Sequence, residues 1–62
     1  MEEKRRIELV GTLYQPLTIG EPAFIKEGDR IHRTSSVLGI TVYPSGDIHF
    51  ETKNTLYTLR QQ

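Results

Sequence analysis

Cysteine is absent from this chain. That excludes a disulfide framework, thiol catalysis and cysteine-ligated zinc, and it is compatible with a reducing cytoplasm. An excess of one charge is also lacking, because eight Lys and Arg balance eight Asp and Glu. A sequence-independent nucleic-acid binder normally carries a clear basic excess, so that class ranks behind the others, although a local basic patch stays open. No apolar run approaches the ~18–20 residues that span a bilayer. The opening "MEEKRRIELV" has no apolar segment followed by a small-residue cleavage site, so no secretory signal is expected. No Gly-rich phosphate loop of the Walker or Rossmann type is present. These absences predict a cytoplasmic protein with no membrane partner and no cofactor. With 62 residues the chain makes one domain, 1–62. A domain of this size buries only about 60% of its unfolded surface, against an ordering cost of roughly 90 kcal/mol at ~1.5 kcal/mol per residue.

What is present is alternation. In "IELVGTLY", Ile7, Leu9 and Leu13 share one face with Gly11 between them, and Glu8, Val10, Thr12 and Tyr14 share the other. "LGITV" places Leu38, Ile40 and Val42 together. "DIHFET" turns Ile48, Phe50 and Thr52 inward and Asp47, His49 and Glu51 outward. "TLYTLR" closes the chain as a strand. Period two with β-branched and aromatic residues means half-buried strands. A helical competitor exists in "EEKRRIEL", where Glu2 and Arg6 are four apart and Glu3 and Arg6 three apart. Val10, Gly11 and Thr12 follow at once, and so short a helix is marginal alone. Residues 1–5 are therefore expected to fray into a strand.

The breaks carry turn chemistry. "QPLTIGEP" reads as a longer loop with Pro16, Gly20 and Pro22. "KEGD" puts Gly28 where a hairpin needs positive φ. "YPSGD" orders Pro44 and Gly46 as in a type I turn followed by a left-handed residue. In "TKNT", Asn54 tolerates the left-handed region. Strands so closely spaced leave no room for helices. They predict an all-β, SH3-like antiparallel barrel of five or six strands, since closure avoids open edges. An oligonucleotide-binding barrel is the second choice, but it normally carries a helix.

One stretch interrupts the pattern. In "HRTSSV", from His32 to Val37, two cations and three hydroxyls sit between apolar segments. Ile31 is odd-numbered, whereas Leu38, Ile40 and Val42 are even, so one regular strand cannot keep all four on one face. A bulge or corner in "RTSS" takes up the slip, with Ser and Thr satisfying freed backbone groups. The plain reading is a polar corner in a bent strand. The functional reading is a binding surface of Arg30, His32, Arg33, Thr34, Ser35 and Ser36. Bulges re-aim side chains, Arg forks recognise carboxylate and phosphate, and hydroxyls add neutral hydrogen bonds.

Other constellations have blander explanations. Asp47, His49 and Glu51, with His32, offer metal-ligand atoms, but a solvated strand face explains them and no second ligand pair is visible. Ser35 or Ser36 with His32 and Asp29 or Asp47 lacks any nucleophile elbow. Tyr14, Tyr43 and Tyr57 suggest a stacking platform for single strands, or ordinary barrel aromatics.

"RTSSV" followed by "FETKNTLYTL" resembles small β-rich proteins encoded by bacterial phages and mobile elements, over the last half of the chain. The likeness is carried by Arg33, Thr34, Ser35 and Val37, then Glu51, Thr52, Asn54, Thr55, Tyr57 and Leu59. It implies a bacterial or phage cytoplasmic accessory protein that acts by binding. The expected function is a non-enzymatic module that recognises or inhibits a partner protein. The alternatives are a small anionic, nucleotide-like ligand at Arg30–Ser36, and nucleic acid bound by Lys26, Arg30, Arg33 and the tyrosines. So small a core is often supplemented by association, so a homodimer through a terminal strand at an open edge is expected.

Overall fold

The computed structural model describes residues 4–61. Of residues 1–5, expected to fray, 1–3 lie outside the described residues, as do Glu2 and Glu3 of the helical alternative. Arg5 opens a strand, not a helix. Six strands follow one another: β1 Arg5–Leu13, β2 Pro22–Glu27, β3 Arg30–Ser36, β4 Gly39–Val42, β5 Ile48–Glu51 and β6 Thr55–Gln61. They form one sheet in the order β3-β2-β1-β6-β5-β4. Among the described residues no helix is long and apolar enough to cross a membrane.

The long strand β1 serves both halves of this sheet. From Arg5 to Gly11 it pairs in parallel with β6, setting Ile7 beside Tyr57 and Leu9 beside Leu59. At Thr12 and Leu13 it takes β2 instead, through Lys26 and Ile25. Gly11 sits at the exchange, and a Cβ there would collide with the Lys26 carbonyl oxygen. Only glycine admits the second backbone so closely. The β2–β3 hairpin faces β6 across the core as a second layer, the His32 ring centroid 6.5 Å from that of Tyr57. The core lies between these layers: Leu9, Ala23, Ile25, Val37, Ile48, Phe50, Tyr57 and Leu59, with Ile7, Leu13, Leu17 and Ile40 packed against it. Phe50 and Tyr57 stack at its centre, ring centroids 4.8 Å apart.

The alternation in β1, β5 and β6 is as the sequence predicts, and so are two of the turns. Gly28 has φ 61° and Gly46 φ 95°. The two-residue loop Gly28–Asp29 has positive φ at its first position only, the type II′ pattern. At "YPSGD" the Gly46 N–H donates to the Tyr43 carbonyl and the Tyr43 N–H to the Asp47 carbonyl, each at 2.9 Å. Asn54 is different: positive φ among the described residues occurs only at glycines. Its turn is closed by the Thr52 N–H on the Thr55 carbonyl at 2.9 Å and braced from outside by the Arg5 N–H on the Asn54 carbonyl at 3.0 Å and the Lys4 ammonium on the Thr52 carbonyl at 3.0 Å.

The antiparallel barrel needs correction in two respects. The β1–β6 pairing is parallel, and the sheet ends at β3 and β4 without closing into a barrel. Both follow from one connection. β3 runs through Val37 and Leu38 into β4 with no hairpin, so the two strands never lie side by side. Omitting that reversal also brings β6 back in the same direction as β1. The termini are corrected with it: β1 and β6 are central, so no terminal strand forms an end of the sheet.

Candidate functional site

The predicted polar stretch is strand β3, antiparallel to β2 from the Gly28 turn onward. The pairing is regular from Glu27–Arg30 to Phe24–Arg33, then jumps to Pro22–Ser36. Three steps along β3 thus answer two along β2, and the extra residue falls at Thr34–Ser35, opposite Ala23. The bulge lies where the sequence places it, but Ile31 is not what it accommodates. Ile31 pairs with Lys26 on the outer face and is 46% exposed. The residue carried inward is Val37, which is fully buried. The neighbouring loop secures it: the Gly20 N–H donates to the Val37 carbonyl at 2.8 Å and the Val37 N–H to the Glu21 carbonyl at 2.9 Å.

The six candidate residues divide among three environments. Thr34 is buried; its Oγ1 accepts the Ala23 N–H at 3.0 Å and donates to the Ser35 carbonyl at 2.7 Å. That hydroxyl closes the gap in the ladder, as buried backbone donors require. Arg30 and His32 lie on the side of the sheet that carries the core. His32 is opposite buried Ile25, and its ring meets Tyr57 edge-on at 6.5 Å. Arg33 lies on the outer side, its guanidinium carbon 5.9 Å from the centroid of Phe24. Ser35 and Ser36 are exposed beyond the bulge. The structure therefore groups Arg33 with Phe24, Lys26 and Ile31, and Arg30 with His32.

Among the described residues the ion pairs are Lys4–Glu51 at 2.8 Å and Arg60–Glu8 at 3.0 Å, neither in this hairpin. Arg30 and Arg33 thus keep their donors free of carboxylates of the described chain. Sequence reasoning missed Phe24 as the support of Arg33. The signal was there, since a two-residue loop at Gly28–Asp29 fixes the register that sets residue 24 opposite residue 33.

The other constellations separate. His49 is on the outer face, 4.5 Å from the ring of Tyr43, and Glu51 is held by Lys4. Among the described residues no three His, Cys, Asp or Glu converge as metal ligands. Tyr57 is buried, while Tyr14 is 63% exposed and Tyr43 sits on the outer face, so the tyrosines form no common platform. Shallow grooves run over the outer face of the other half, around Arg6, His49, Leu56 and Thr58.

Fold and site together define a small all-β protein built on a mixed six-stranded sheet. No family model, curated protein or solved structure matches the chain.

Proposed function

We propose that this is a non-enzymatic binding module that recognises or inhibits an acidic partner protein through the β2–β3 hairpin. The observation that carries the reading is Arg33, laid over Phe24 with no carboxylate of the described chain upon it. Arg and aromatic side chains are the residues that dominate protein interfaces. A guanidinium braced on a ring is already oriented, so less conformational freedom is lost when it engages a partner carboxylate. Lys26 and Ile31 extend the same face, and Arg30 and His32 border it at the open edge. The likeness to phage and mobile-element proteins supports an accessory role in a bacterial cytoplasm.

The test is fluorescence anisotropy with a labelled polyglutamate peptide, comparing the parent with the double substitution Arg30→Ala and Arg33→Ala. The fold should survive, since exposed charges contribute only ~0.2–1 kcal/mol. Affinity for the peptide should fall by about 1.5–3 kcal/mol for each charge-assisted hydrogen bond removed. Equal affinities in two folded proteins overturn the proposal. Binding of a nucleoside triphosphate or an oligonucleotide, with none to the peptide, replaces the protein partner by the corresponding anion.

A further inference from the structure

We propose that two copies of this chain pair through β4, antiparallel about a twofold axis at Thr41, so that each sheet continues into the other. The inference stands apart from the reading of the β2–β3 hairpin.

β4 is the last strand of the sheet and is bonded on one side only, to β5. The Tyr43 N–H donates to Asp47. Antiparallel ladders alternate bonded and non-bonded residues, so Tyr43, Thr41 and Gly39 turn their backbone groups toward β5. Ile40 and Val42 turn theirs outward, two N–H and two C=O groups with no strand to receive them. Pro44, next in the same phase, has no N–H to offer, which limits the free ladder to those two residues.

The side chains agree with this edge. Ile40 packs against the core, and Val42 shares its face of the sheet yet is 66% exposed. The apolar face thus runs out to the edge with nothing over its last member. Edge strands are ordinarily guarded by charge. Here no residue from Thr34 to Gly46 carries one.

The occupant is a second copy because the edge complements itself. With Thr41 on the axis, Ile40 of one copy meets Val42 of the other, twice, and the outward groups exchange four hydrogen bonds. Tyr43 falls opposite Gly39, the aromatic-over-glycine pairing that steadies edge glycines. No like charges come together, and the chain's zero net charge leaves no overall repulsion to overcome. The same operation on β3 would crowd Arg30, His32 and Arg33 of both copies into one ladder.

The axis position gives a direct test. A non-hydrogen-bonded antiparallel pair has Cα atoms ~4.5 Å apart, inside the ~4.4–6.8 Å window of a disulfide. The chain has no other thiol. Thr41→Cys should therefore give a covalent dimer under mild oxidation, whereas Tyr14→Cys, at a position that is also exposed, should stay monomeric. In sedimentation velocity from micromolar to millimolar protein, the parent and Ile31→Lys should be dimeric. Val42→Lys and Thr41→Lys, each checked for folding by circular dichroism, should dissociate at least tenfold more readily. A parent that is monomeric throughout overturns the proposal. So does dissociation by Ile31→Lys with both β4 variants dimeric, which would place the contact at β3. If one lysine variant fails to fold, the other and the cysteine pair still decide.

Discussion

The two ends of the sheet, β3 and β4, are separated by only Val37 and Leu38, yet their chemistry is opposite. β3 carries Arg30, His32 and Arg33 and is broken by a bulge at Thr34–Ser35. β4 carries no charge and presents Val42 on an uncovered continuation of the core face. Charge and bulges are devices that keep a strand edge from pairing with another strand. Their presence at one end and absence at the other shows that an edge is specified by its side chains, not by its place in the fold. β3 is suited to oppositely charged surfaces and β4 to another strand. A twofold pairing at β4 closes on itself and leaves only guarded ends exposed.

That contrast assumes one shared core, and the most severe test removes its centre. Phe50 is 2% exposed and stacked on Tyr57. Phe50→Ala should cost about 3–5 kcal/mol, most of the ~3–9 kcal/mol expected for this length. Both edges should melt together in a thermal scan followed by amide exchange. Protection that survives in β2–β3 while β4–β5 is lost would make the two edges independent units. Gly11→Ala should come next, at about 1–3 kcal/mol, because the methyl must push back the Lys26 carbonyl. It should loosen β2–β3 from the rest, and a urea midpoint equal to the parent's would show that the two backbones are not in close contact. The smallest effect belongs to the bulge. Thr34→Val leaves the Ala23 N–H unpaired and should cost roughly 1–2 kcal/mol, with faster exchange confined to the β2–β3 hairpin. Faster exchange spread evenly to β4 would erase the distinction between the ends.

Much of the local structure was legible in the residues. Leu9, Ile48 and Phe50 are placed on the core face by alternation alone, and Gly28 and Gly46 announce their turns because few other residues accept positive φ. The bulge was legible too, though through Ile31, which proved to face outward. What the residues did not disclose is pairing between distant segments. Alternation gives each strand two faces but not its neighbours, so the parallel β1–β6 contact and the unclosed sheet stayed hidden. For the same reason Leu38 and Val42, apolar and in phase with Ile40, read as core; they lie where the sheet ends, 56% and 66% exposed. Alternation also separates Arg30 and His32 from Arg33 as the structure does, so the six candidate residues form no single patch, and Thr34 is consumed by the ladder.

The parallel contact at the centre also governs how quickly the molecule can assemble. From Arg5 to Gly11 each β1 residue meets the β6 residue fifty positions further on, Arg5 beside Thr55 and Gly11 beside Gln61. Closing a loop of that length costs roughly 3.5 kcal/mol from its (3/2)RT ln n dependence alone, whereas β2–β3, β4–β5 and β5–β6 each close across a short turn. The hairpins should therefore form early and β1 should be the last strand to dock, in a chain slow to fold for its size. Pulse-labelled amide exchange should find β4–β6 protected before β1, and simultaneous protection would place the long loop's closure in the nucleus instead.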